Sequence, residues 1–523
     1  MEHTLVSFGL IVILMLATVL LVGVGEKIRR PYPVLVTLFG ILLAVLPWVP
    51  EIEIDPELIL PLFLPPLIYA AAQRTSWRMI QARKRTIVGM ALLLVAATVV
   101  AAAGVTFLLV GGITVAAAVA LGSAVAPPDP VAAEAVAGPL GLPRRLVTIL
   151  QTEGLCNDAT ALVIYAVAVS AITGGHYSMW DGALLFVWEV AAALAMGLGL
   201  GWAATWVQRH MATTDARNAL TLVFPFAVYL LADLVHSSGV LAVLVGSLYL
   251  GQTTDDESGV SDRLTGSAFW ETIELLITGL AFGLIGLELR DVLPPLAEFP
   301  TYAWHAAVVC AVVIVLRLVW MLVVGVWLRR RHDELDGMPE SWKEDFVISY
   351  CGMRGLATLA LALALPLSTP ARDELLFIAF AVILVTMVFP GLTLPWVVRV
   401  LGVRDEDDAE EQEIRDLAFR ASRASLRRLR ELDAEEDLPS EVVQKLRLAQ
   451  RLLVSQLCDT VPDDMAEDYD QRRSHSETRD RVEAEMLAAS RREVLLARAE
   501  PGVDPEAADK VLRRLDLRSA HLL

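Results

Sequence analysis

The sequence predicts an all-α polytopic membrane protein of about 13 transmembrane helices, with inverted repeats and two crossed, unwound helices, followed by a helical cytosolic C-terminal domain. Three observations predict it. Of 523 residues, 55% are hydrophobic and 20% charged, too apolar for a soluble chain of this length. Apolar runs of about 17 to 25 residues, long enough to cross roughly 30 Å of hydrocarbon, recur through the first 400 residues. Ionisable residues stand inside several of these runs, where each costs roughly 2.5 to 3.5 kcal/mol unless it faces a cavity, a partner or an ion.

In chain order the spans fall near 5–24, 32–49, 57–73, 86–110, 113–137, 147–171, 182–207, 218–235, 237–252, 267–288, 303–328, 346–366 and 374–400. The first lacks a basic leader and runs into Glu26, Lys27, Arg29 and Arg30, so it reads as a retained helix. Basic residues concentrate in alternate loops: Arg29 and Arg30, Arg74 to Arg85, Arg144 and Arg145, Arg209 and Arg217, and Arg329 to Arg331. Cytoplasmic loops are enriched in Lys and Arg, which implies an N-terminus outside and a C-terminus in the cytoplasm.

The fifth span carries Pro127, Pro128 and Pro130 around Asp129. Each proline removes a backbone donor and crowds the preceding turn, so carbonyls and helix ends are released at membrane depth. Secondary transporters build ion sites on such discontinuous helices. The twelfth span holds a second breaker, Gly352-Met353-Arg354-Gly355. Two interrupted helices about seven spans apart suggest an inverted repeat in which they cross near the midplane.

The sixth span places Glu153, Asn157 and Asp158 where the bilayer should be. Asn157 and Asp158 offer hard oxygen ligands that suit a small dehydrated cation, and Asp158 can also take a proton. Burial raises a carboxylate's pKa while a bound cation lowers it, so one residue can hold either species in competition. A buried Asp bonded only to backbone is the bland alternative. Glu153 needs a counter-charge, for which Arg317 in the eleventh span is the expected partner and Arg354 the competing one. The alternative role for Arg354 is to offset carbonyl dipoles released at the crossing. Asp233, Glu189, Glu134, Glu271 and Glu274 lie in or beside other spans, and Asp233 could line a funnel.

After Leu401 the chain becomes rich in Arg, Glu, Asp and Leu, and the stretches 410–432 and 440–457 space apolar residues as amphipathic helices do. This tail, 401–523, reads as a regulatory segment, a dimer contact or a solvated appendage. The net charge of −18 argues against a nucleic-acid partner. Four cysteines without paired spacing read as free thiols, and eight histidines form no metal-ligating cluster. No phosphate loop or nucleotide fingerprint occurs, so neither a cofactor nor ATP is expected, and a gradient must drive any uphill movement.

Five stretches in order, FLPPLIYAA at 63–71, PDPVAAEAV at 128–136, EGLCNDA at 153–159, YLLADLVHSSGVLAV at 229–243 and GMRGLATLALAL at 352–363, resemble the sodium/proton antiporters of the monovalent cation:proton antiporter-1 family over most of residues 5–400. The resemblance implies that Asp158 is the ion-binding, proton-carrying aspartate, preceded by the family's asparagine at Asn157. It implies that Asp129 is the acidic residue of the unwound helix, with the backbone at Pro128 among the ligands. Glu153 and Arg317 correspond to a structural ion pair, and Arg354 to an arginine of the second crossing helix. The asparagine-aspartate pair implies electroneutral exchange of one Na+ or Li+ for one H+, with K+ as the alternative cation. A cation channel gated by the tail is the reading from another class, and no glycine-rich carbonyl filter supports it. The implied assembly is a homodimer in the plasma membrane, in contact with lipid. Its core would lie near 86–171 and 303–400, its dimer domain near 5–73 and 218–288, and the core would move to give alternating access. Three departures bear on selectivity: Pro128 replaces a frequent threonine, Gly154 a serine, and Ala70 a residue that is acidic in several relatives.

Overall fold

The computed structural model describes residues 2–28, 30–47, 49, 56–73, 89–137, 140, 142–174, 179–211, 213–235, 237–255, 260–330, 341–403, 423–435 and 439–447. The chain divides into two compact units, Met1–Asp405 and Glu406–Leu523. Among the described residues the first unit is helical throughout, with no strand.

Its helices are α1 (Glu2–Ile28), α2 (Tyr32–Val45), α3 (Pro56–Gln73), a π-helical turn at Gly89–Leu94 that continues as α4 (Val95–Leu109), α5 (Val115–Val125), α6 (Pro130–Ala137), α7 (Arg144–Ile172) and α8 (Met179–His210). They continue with α9 (Thr214–Leu234), α10 (Gly239–Asp255), α11 (Val260–Leu287), the short α12 (Leu289–Val292), α13 (Phe299–Arg330), α14 (Trp342–Tyr350), α15 (Leu356–Leu363) and α16 (Arg372–Leu401). Seven helices among the described residues are long and apolar enough to cross a membrane, and five further apolar helices are shorter. Large apolar side chains such as Val100, Leu108, Trp202, Leu230 and Trp304 stay exposed along them. A soluble fold would bury this surface; a bilayer accepts it.

Two bundles share the first unit. Helices α4, α5, α7, α13, α15 and α16 pack on one another around a continuous apolar core that includes Leu121, Leu146, Val313, Leu359 and Ile383. Helix α3 packs with α9 and α10, and α8 packs on α10, around a second core that includes Ile68, Ala193, Val228 and Val243. Helices α1, α2 and α11 complete that side. Where α2 meets α11 the backbones touch: a Cβ on Gly40 would overlap the Gly283 carbonyl, so only glycine permits this approach.

The fifth sequence span is two helices, α5 and α6, separated by residues 126–129, and the twelfth is likewise two, α14 and α15, separated by 351–355. The eleventh is a single helix of 32 residues. In the second unit, residues 423–435 and 440–447 are helical. Arg428 pairs there with Glu431 at 3.0 Å and Glu435 at 3.7 Å, exposed pairs of the kind that stabilise little.

Candidate functional site

The two breaks meet, and each supplies the group that the other needs. The amide of Asp129 donates to the Met353 carbonyl at 2.6 Å. The Asp129 carboxylate accepts from the amide of Leu356, the first residue of α15, at 3.1 Å through Oδ2, and from the amide of Ala132 in α6 at 3.2 Å through Oδ1. One carboxylate thus caps two helices at once, which satisfies donors that would otherwise be orphaned at membrane depth. Gly355 is what lets Asp129 come this close, because a Cβ there would overlap its carboxylate.

Arg354 performs the converse task. It is buried, and its guanidinium donates to the carbonyls of Val125 at 3.1 Å and Ala126 at 3.3 Å, at the C-terminal end of α5, and also to the Gly352 carbonyl. A cation at a helix C-terminus complements the negative end of the helix dipole. The Arg354 amide donates to Thr386 Oγ1 of α16 at 3.0 Å, which anchors the second break to a continuous helix.

Beside the crossing, α7 runs unbroken through Glu153, Asn157 and Asp158. Glu153 and Arg317 come together in a two-pronged bond, Nη1 to Oε1 at 2.5 Å and Nη2 to Oε2 at 2.9 Å, with both side chains almost fully buried. Arg317 also donates to the Ser349 carbonyl at 3.3 Å and the Ile348 carbonyl at 3.4 Å, so it closes the C-terminal end of α14 as well. Arg354, the competing partner for Glu153, serves carbonyls instead.

Asn157 stands one helical turn after Glu153 and is fully buried. Its Nδ2 donates to Glu153 Oε1 at 3.4 Å, while among the described residues its Oδ1 has no hydrogen-bond partner. A buried acceptor without a donor costs about 1 to 3 kcal/mol, and that cost falls away when a cation or a water occupies the site. The side chains of Asp158, Pro130 and Glu134 lie outside the described residues. Pro128 is buried. Asp233 is exposed at the end of α9, Glu271 is exposed, and Glu189 and Glu274 are half-buried. Among the described residues no group of three His, Cys, Asp or Glu side chains could hold a resident metal.

The chain as a whole has known relatives. Residues 11–400 match the transmembrane sodium/hydrogen exchanger family. The chain belongs to the sodium/hydrogen exchanger family. It is 33% identical over 538 aligned residues, 99% of this chain and 96% of the relative, to an uncharacterized Na+/H+ exchanger of Mycobacterium tuberculosis. It is 28% identical to the low-affinity Na+/H+ antiporter NhaS1 of Synechocystis, covering 82% of this chain and 80% of that protein. The structure of the sodium proton antiporter MjNhaP1 from Methanocaldococcus jannaschii superposes with a TM-score of 0.60 at 17% identity, over 76% of this chain and all of that one, which is a likeness of fold. The protein is therefore an all-α, multi-pass member of a family of cation/proton antiporters rather than of enzymes.

Three contacts of this site were not legible in the sequence. The family resemblance implies an ion ligand at Asp129, and its capping of α15 across the crossing depends on a partner 227 residues away. Thr386 carries no local signal that marks it as the acceptor for Arg354. The pair of His305 and Glu374, at 2.5 Å, also escaped. A histidine and a glutamate at the starts of two apolar spans were the signal that could have found it.

Proposed function

We propose that this protein is a secondary antiporter that exchanges Na+, or Li+, for H+ in a 1:1 electroneutral cycle across the plasma membrane, serving pH homeostasis. The observation that carries the reading is the unpartnered, fully buried Asn157 Oδ1, one residue before Asp158 and beside two broken helices. A dehydrated cation needs such oxygens, and an apolar structural helix avoids them.

Each residue then has a task. The Asp158 carboxylate binds the cation in one half-cycle and the proton in the other, and its charge state makes the two exclusive. Asn157 Oδ1 contributes an oxygen, and the backbone near Pro128 contributes another. Asp129 and Arg354 hold the crossing open by satisfying its helix ends, so that the released backbone survives without water. The pair Glu153–Arg317 fixes α7 against α13 and α14. Because cation and proton each neutralise one carboxylate, the cycle moves no net charge. The bundle of α4–α7 and α13–α16 would carry the site between the two faces, past helices that make a homodimer. The N-terminus lies outside, the C-terminus in the cytoplasm, and the tail from 401 regulates or contacts a second subunit.

A potassium/proton exchanger on the same scaffold is the second reading. The family resemblance implies hydroxyl side chains where this chain has Pro128 and Gly154, and their loss loosens the preference for a small ion. A relative from Bacillus pumilus, 28% identical over 385 residues, is named a sodium, potassium, lithium and rubidium/H+ antiporter. The deciding experiment is proton flux in proteoliposomes on adding Na+, Li+ and K+ in turn. Saturable flux with Na+ and Li+ supports the first reading. Flux driven by K+ alone supports the second, and dissipation of a potential without proton movement would contradict both.

A further inference from the structure

Helix α13 carries a cationic or titratable side chain every twelve residues: His305, Arg317 and Arg329. At about 1.5 Å per residue these stand roughly 18 Å apart along the axis. Each meets a carboxylate on a different element. Arg329 bonds Asp345 of α14 at 2.6 Å, Arg317 bonds Glu153 of α7, and His305 Nδ1 bonds Glu374 of α16 at 2.5 Å. The three rungs tie α13 to three neighbours at three depths. The inner two rest on guanidinium groups that keep their charge at every physiological pH, while the third rests on an imidazole, the side chain whose charge changes in that range.

The third rung stands at the end of α13 remote from Arg329 and Arg330, which the orientation proposed above places outside. Glu374 lies in the first turn of α16. That turn is held in an unusual way. Its N-cap, Ala371, has φ of 56°, a left-handed conformation that is strained for a residue with a Cβ. The next residue, Arg372, donates to the carbonyls of Leu363 and Leu365, both at 2.9 Å, and so closes the C-terminal end of α15. Helix α15 is the half-helix whose other end Asp129 caps. One helical turn, the first of α16, therefore holds both the partner of His305 and the arginine that closes α15.

We infer that His305 and Glu374 are positioning residues for the second broken helix, and that protonation of His305 from the outer face tightens their bond and so holds α15 in register with Asp129. The inference rests on the proposed antiport and orientation. With imidazolium the rung is a charge-assisted bond; with neutral imidazole it is an ordinary one, about half as strong. The groups around the pair are Glu298, just before α13, Tyr302 in its first turn, and Asp373 on α16. Tyr165 of α7 lies near Arg372, and Arg290 of α12, which packs on α16, is engaged with the Val49 carbonyl. Helices α4, α5 and α15 carry no ionisable side chain. The aromatic contacts of Phe377 with Phe299 and Tyr302 shelter the rung from bulk water.

The test compares wild type with His305→Gln, His305→Arg and Glu374→Gln in right-side-out and everted vesicles, driven by Na+, with pH set on each face separately. His305→Gln and Glu374→Gln should each run about threefold slower than wild type at an outer pH of 6 and match it at 8.5. His305→Arg should hold its rate across that range. Changing the inner pH should leave the ratios unaltered. A ratio to wild type that stays constant with outer pH, or follows inner pH instead, overturns the inference. The melting temperature of the purified full chain supplies a readout independent of transport: the gap between wild type and His305→Gln should be larger at pH 6 than at 8.5, and an unchanging gap also overturns it. If wild type shows no Na+-driven proton flux, the antiport reading fails, and the melting series still decides whether the rung responds to protons.

Discussion

The two breaks reach the same outcome from opposite chemistry. Residues 126–129 interrupt the first helix with prolines, which take donors away, whereas residues 351–355 interrupt the second with glycines, which take side chains away. The first break therefore leaves carbonyls in need of a cation and gets one from Arg354. The second leaves room beside a helix N-terminus and receives the Asp129 carboxylate in it. Neither break is stable alone at membrane depth, because each strands polar groups that only its counterpart satisfies. A crossing of this kind is a reciprocal arrangement, and its two halves should fail together.

Helix α3 sharpens the contrast. Pro61, Pro65 and Pro66 all lie inside it, and it stays continuous. Prolines alone do not decide a break. What distinguishes residues 127–130 is the concentration of three prolines within four positions, next to groups that can receive the freed backbone.

The comparison yields predictions of decreasing size. Replacing Arg317 by Met strands Glu153 and removes the cap on α14, and should lower stability by about 3 to 5 kcal/mol. Glu153→Gln should cost a similar amount, while the double change should cost less than the sum, as read from melting curves in a double-mutant cycle. Additive losses would show that the two charges do not act as a pair. Next, Arg354→Met should cost about 2 kcal/mol by leaving the Val125 and Ala126 carbonyls unsatisfied, and Asp129→Ala about 1 kcal/mol through the lost cap on α15. If the halves are reciprocal, these two are also non-additive; independent effects would break the comparison. A similarly small effect is expected from Thr386→Val, which removes the acceptor for the Arg354 amide and the hydroxyl bond to the Val382 carbonyl, and should cost about 1 kcal/mol.

The positions of both breaks were legible in the sequence because Pro and Gly act locally, and each enters the pattern where it stands. The membrane class was legible for a similar reason, since hydropathy sums over a window. Arg317 as the partner of Glu153 could be weighed as one of two buried arginines, and burial chemistry narrows such a choice. The dual capping by Asp129 was not legible, because it joins residues 227 apart through a carboxylate that looks like any other acid in an apolar run. The rung between His305 and Glu374 was hidden likewise by a separation of 69 residues.

In the proposed cycle one carboxylate serves two ligands in turn. Lowering pH should raise the apparent KM for the cation as Asp158 takes a proton, and high pH should slow the return step, so the rate profile is bell-shaped. Under symmetric pH the exchange should not respond to membrane voltage, whereas a clear voltage dependence would refute the 1:1 cycle.

The central claim of the proposed cycle is that the Asp158 carboxylate carries both ions, and it is tested most directly by Na+-driven proton flux in proteoliposomes containing Asp158→Asn. The substitution keeps volume and most hydrogen bonding, so the protein should fold with near-normal melting behaviour. The account predicts that coupled flux disappears into the background of empty liposomes. Exchange at a near-wild-type rate would place the proton on another group and contradict the single-site mechanism.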